Sequence, residues 1–102
     1  MKPIEALSAA EAATVGRVVA TLVVAFGEQA SWDIDLLPPA SVEPIATDAT
    51  TTTVESPSAA LEGYIDEILD RVGLRRVEPL QTIGSAESWS AEVGPRPARS
   101  LA

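Results

Sequence analysis

The amino-acid sequence predicts a small α+β domain, and three observations carry that expectation. A Ser-x-x-Glu box at Ser8 and Glu11 opens an alanine-rich run in which Val15, Val18, Val19, Leu22, Val23 and Phe26 recur at helical spacing, drawing one apolar stripe. A second stripe, Leu61, Ile65, Ile68, Leu69 and Val72, lies between a serine–proline start and a glycine stop. Two shorter stretches, around Trp32 and Trp89, alternate apolar with polar residues, the period of a half-buried strand. The expected architecture is therefore one long N-terminal helix, a second amphipathic helix, two or three short strands, and extended arms. It divides as residues 1–37 (helix and strand), 38–57 (arm), 58–94 (second helix and C-terminal strands) and 95–102 (tail), one domain overall.

The first helix is expected from Ser8 to Gln29, about 33 Å at the helical rise. A strand over residues 17–26 competes with it, and that alternative would make the chain mainly β. Val18, Val19, Thr21, Val23 and Val24 are β-branched and favour a pleated surface. In that strand Val18, Ala20, Leu22, Val24 and Phe26 share a face. The helix is preferred because the cap and the alanine run propagate into it.

Ser31–Leu37 reads as the first strand, with Trp32, Ile34 and Leu36 on one face and Asp33 and Asp35 on the other. Two carboxylates so placed lack the further oxygen ligands and the glycine-turned loop that a calcium site requires, so a solvated face is expected. Residues 38–57, PPASVEPIATDATTTTVESP, are long for a featureless connection within a compact domain. They read as an arm laid along something else, with Val42, Ile45 and Val54 as shallow anchors.

The second helix spans Ser56 to Gly73, with Ser56 as cap, Pro57 at the first helical position and Gly73 as the stop. Its polar side carries Glu62, Asp66 and Asp70 four apart, a repulsive spacing worth a few tenths of a kcal/mol per pair. That acidic face is either solvated or a dock for a basic partner. Arg75 and Arg76 follow, placed to complement the helix carboxyl end or to clamp a carboxylate on another protein. Glu87–Val93 reads as a strand, paired with residues 77–83 across a Gly84-Ser85 turn; Pro79 confines that partner to an edge.

Composition narrows the chemistry. The chain of 102 residues holds neither cysteine nor histidine. It thus lacks a thiol nucleophile, thiolate and imidazole metal ligands, and the usual general base. No phosphate loop, dinucleotide fingerprint, nucleophile elbow or zinc-protease motif is present. No enzyme activity, cofactor or metal is expected. Fifteen acidic residues against seven basic give a net charge of −8, which repels phosphate backbones and argues against direct nucleic-acid binding. The most apolar stretch, Val18–Phe26, is nine residues with Thr21 among them, against roughly 20 apolar residues needed to cross a bilayer. With Glu5 and Glu11 in place of a basic leader, the expectation is a chain in the cytoplasm or in a particle assembled there.

The functional expectation follows from what is left: a non-enzymatic structural or adaptor subunit of a larger protein assembly, such as an accessory virion or shell component. Its partners would be copies of itself or a larger scaffold protein. The alternative is a small acidic binding or inhibitory module that blocks a basic surface on a partner protein. Glu62, Asp66, Asp70, Arg75, Arg76, Val42, Ile45 and Val54 are the candidate contact residues.

Overall fold

The computed structural model describes residues 2–53 and 57–95, with the side chains of residues 57, 58, 85 and 86 outside that description. In chain order the elements are strand β1 (Lys2–Pro3), a 3-10 turn (Ile4–Ala6), helix α1 (Ala9–Ala12), strands β2 (Arg17–Phe26), β3 (Gln29–Leu37) and β4 (Ala46–Thr53), helix α2 (Pro57–Arg71), and strands β5 (Leu74–Arg76), β6 (Gln81–Ile83) and β7 (Ser85–Pro95). The strands form one seven-stranded sheet in the order β1-β4-β3-β2-β7-β5, with β6 also paired to β7. β1 runs parallel to β4, and every other pairing is antiparallel. The domain is mostly β, so the α+β architecture with a long N-terminal helix is overturned.

The correction falls on residues 8–29. The capping box forms as expected: the Ser8 hydroxyl accepts from the Glu11 amide at 3.1 Å and the Glu11 carboxylate accepts from the Ser8 amide at 3.0 Å. The helix it starts nevertheless ends at Ala12. Thr14 turns its hydroxyl back onto the Glu11 carbonyl at 2.7 Å, and the β-branched Thr14 and Val15 then meet Gly16, a poor helix former. Beyond that point the backbone of Arg17–Thr21 is bonded on both sides, to β3 and to β7. A ladder on two edges outweighs the weak helical preference of a valine-rich run. The strand alternative for residues 17–26 is what the chain adopts.

Lys2 Nζ donates to the second oxygen of Glu11, tying β1 to α1. That bond, with the Ser8 amide, holds the Glu11 carboxyl at a pKa of about 2 against an ordinary 4.5. A depressed folded pKa means stability that is present above the ordinary value and is lost as pH falls from there towards 2. Glu11→Gln should therefore flatten the acid limb between pH 4.5 and 2, read as the urea midpoint at each pH.

Within the segment 38–57 expected as an arm, residues 46–53 instead belong to the sheet. Residues 46–53 form β4, paired with β3 from Leu36↔Ala46 to Gln29↔Thr53. Threonine suits this pleated surface, and Thr52 is buried where its hydroxyl accepts from Trp32 Nε1 at 2.9 Å. The C-terminal tail from residue 96 lies outside the described residues.

α2 takes the stripe read from the sequence: Leu61, Ile65, Ile68 and Leu69 are buried, with Val72 and Tyr64 half-buried beside them. Its glycine stop is real, Gly73 standing at φ +78°, while its Ser56 cap lies outside the described residues. The helix crosses one face of the sheet, contacting both β4 and β5. The core lies between them, filled from the sheet side by Val18, Ala20, Trp32, Ile34, Leu36, Ala46, Ala91 and Val93.

Candidate interaction surfaces

Three of the candidate residues come together. Arg76 projects from β5 beside α2 with its side chain only 16% exposed. Its Nε and Nη2 form a fork onto Asp66, at 2.7 and 2.9 Å, and its Nη1 donates to Glu62 at 2.8 Å and to the Glu78 carbonyl at 3.1 Å. The fork onto Asp66 raises the guanidinium pKa despite partial burial. Arg76 thus acts on the middle of α2 rather than on its carboxyl end. Glu62 also accepts weakly from the Leu80 amide at 3.4 Å, anchoring the connection between β5 and β6.

Asp70 and Arg75 line the same shallow groove of about 500 Å³ with Asp66, Glu67, Leu74 and Arg76. Arg76→Ala should cost about 1–2 kcal/mol, because it strands two half-exposed carboxylates and releases the β5–β6 connection. Arg76→Lys should recover part of this, since an ammonium keeps the charge but not the fork. Arg75→Ala, at an exposed position, should stay within about 0.5 kcal/mol of the parent. Urea denaturation distinguishes the three.

Of the three expected anchors, Val42 and Ile45 differ in their surroundings. Val42 is 88% exposed in the connection after β3, Ile45 is half-buried against the core, and Val54 lies outside the described residues.

Two further clefts bring charges together. One, of about 250 Å³, is lined by Glu5, Asp48, Tyr64, Glu67, Ile68 and Arg71. Arg71 bonds Glu67 at 2.8 Å and lies 3.9 Å from Glu5. The Tyr64 hydroxyl donates to the Ala49 carbonyl at 3.3 Å, and burial, reinforced by Asp48, pushes its pKa up. The other cleft, about 400 Å³, is lined by Arg17, Pro39, Glu78, Ser90 and Glu92. Arg17 Nε is buried there with no acceptor among the described residues. Neither cleft sets a nucleophile against a base, and among the described residues no three carboxylates, imidazoles or thiols converge as metal ligands. Among the same residues no helix is long and apolar enough to cross a membrane.

The surface that sequence reasoning missed is the far end of the β2–β3 hairpin. Leu22 and Trp32 are partners, then the register slips, so that Val24 faces Ser31 and Phe26 faces Gln29. This bulge at Val23 turns Val24 and Phe26 off the face shared by Val18 and Ala20. Val23 is 58%, Val24 51% and Phe26 84% exposed. The hairpin closes through Gly27-Glu28 with a left-handed φ of +64° at Gly27 alone, the φ pattern of a type II′ turn. Gly-Glu between two apolar runs was the available signal, hidden while residues 17–26 read as helix. Comparison with protein-family models, with curated proteins and with solved structures finds no match for this chain.

Proposed function

We propose that this chain works by contact with other proteins, as a non-enzymatic structural or adaptor subunit of a larger assembly, and that the end of the β2–β3 hairpin is the contact surface. The observation that carries the reading is the set of exposed apolar side chains Val23, Val24 and Phe26 at the end of the β2–β3 hairpin. Covering a phenylalanine and two valines with a partner gains about 1.5–3 kcal/mol for each side chain fully buried. Exposed apolar side chains that lie together mark interaction sites on protein surfaces. Aromatic side chains at the centre of such a patch are the usual anchors of an interface. The alternative, a module blocking a basic surface through Glu62, Asp66 and Asp70, finds less support, because Arg76 already occupies two of those carboxylates.

Placing a photo-crosslinking amino acid at position 26, and separately at position 75 on the α2–β5 side, tests the reading in the cells that make the protein. Discrete protein adducts are expected from position 26 and not from position 75. Adducts from position 75 alone, or from neither, would overturn it.

A further inference from the structure

The cleft between Arg17, Pro39, Glu78, Ser90 and Glu92 lies on the face of the sheet opposite α2. Val18 and Ala20 of β2, like Ala91 and Val93 of β7, point into the core. The alternate residues Arg17, Ser90 and Glu92 therefore point to the other face. Four segments supply the walls: the start of β2, the middle of β7, the β5–β6 connection at Glu78, and the β3–β4 connection at Pro39. Pro39 lies against Gly16, whose amide is bonded to the Leu37 carbonyl and whose carbonyl is bonded to the Val93 amide. The site is thus built on the sheet's own ladders, and its volume of about 400 Å³ suits a small metabolite.

The charged groups of this cleft are not joined to one another. Arg17 and Glu92 are register partners on β2 and β7. The bond from the Val93 amide to the Gly16 carbonyl makes theirs the non-hydrogen-bonded kind of pair, in which side chains come closest. Opposite charges so placed attract, yet among the described residues no ion pair joins Arg17 to Glu92 or to Glu78. Arg17 Nε is buried with no acceptor among them, and a buried donor left so is uncommon enough to need a cause. The guanidinium matches a carboxylate, and the Glu78 and Glu92 carboxylates match an ammonium. One cation against two anions leaves a single net negative charge, so a ligand with a net positive charge complements the whole. A simple anion would face two carboxylates, and a simple diamine would leave Arg17 unmatched.

Independently of the hairpin surface, we infer that this cleft binds a free basic α-amino acid, of the lysine or arginine type. Its carboxylate accepts from the Arg17 guanidinium, and its α-ammonium, one carbon away, donates to Glu92, the neighbour directly across the ladder. Its side-chain cation meets Glu78 on the β5–β6 connection, and the Ser90 hydroxyl offers one more hydrogen bond.

The test titrates the full chain with L-lysine and follows NMR signals, with the Arg17 Nε–H as reporter. Two analogues accompany it: L-lysinamide, which presents only cations to Arg17, and L-norleucine, which lacks the side-chain ammonium. L-lysine should bind saturably, moving the Arg17 Nε–H and the amides of Ser90 and Glu92. Lysinamide, or Arg17→Gln in a chain whose urea midpoint is unchanged, should weaken binding about ten-fold or more. Norleucine and Glu78→Gln should each weaken it by a smaller factor and reduce its salt dependence. The analogues probe the same contacts in the unaltered chain, so a variant that fails to fold leaves the answer intact.

Absence of saturable binding by L-lysine would overturn the inference. So would equal binding of lysinamide, shifts centred on the groove beside α2 instead, or tighter binding of inorganic phosphate than of lysine. Position 26 takes no part in this cleft, so the crosslinking result and this titration succeed or fail separately.

Discussion

Gly16→Ala is expected to lower the free energy of unfolding by about 3 kcal/mol, the upper part of the range for overpacking. A methyl group there would meet the Pro39 ring, lying 2.9 Å from Cδ and 3.0 Å from the backbone Cα as well as against Cγ. Neither side can give way. The Gly16 amide donates to the Leu37 carbonyl at 2.8 Å and its carbonyl accepts from the Val93 amide at 3.0 Å, so the residue is fixed between β3 and β7. Gly63→Ala is the matched control: it lies inside α2, where an added methyl meets nothing. It should stabilise by about 0.5–1 kcal/mol through helix propensity. Equilibrium urea curves of the two variants should shift in opposite directions, and a parallel shift would discredit the account of Gly16.

The other large effect is expected at Leu69, which is fully buried. Leu69→Ala should cost about 2–5 kcal/mol, the transfer of the lost methyl groups plus the cavity they leave. The architecture sharpens this expectation. Among the described residues α2 is the one helix lying across the sheet, so nothing else can close over a gap at Leu69. The variant should lose urea resistance and bind a hydrophobic dye in buffer, whereas Asp70→Ala on the exposed side should do neither.

Local signals were legible where a single period fitted the residues. The Ser8–Glu11 box, the stripe of α2, the Gly73 stop, and the alternation around Trp32 and Trp89 all appear in the structure where the residues place them. Residues 15–26 were ambiguous because their valines satisfy a helical stripe and a pleated face at once. What decides between these is pairing with Leu37 through Gln29 on one side and with Glu92 through Ser88 on the other, and no local window contains that information. The threonine run reads as an arm for the same reason: it becomes a strand by pairing along β3, where Thr52 also accepts from the Trp32 indole.

Of the candidate site, the acidic spacing of Glu62 and Asp66 was visible. Their partner was not, because Arg76 reaches them only after the chain has reversed at Gly73. The exposed Val24 and Phe26 stayed hidden because a one-residue register slip moves side chains to the opposite face, and bulges have no dependable sequence mark.

The position of β7 has a bearing on biogenesis. It is the last strand among the described residues, yet it lies in the sheet's interior, between β2 and β5. A nascent chain that has exposed β2, β3, β4 and α2 holds a meander whose inner border at Arg17–Thr21 is still bare. Such long-range closure is slow, and unfinished borders of this kind attract wrong partners. The translating ribosome must therefore deliver the chain through Pro95 before the molecule can become one cooperative unit.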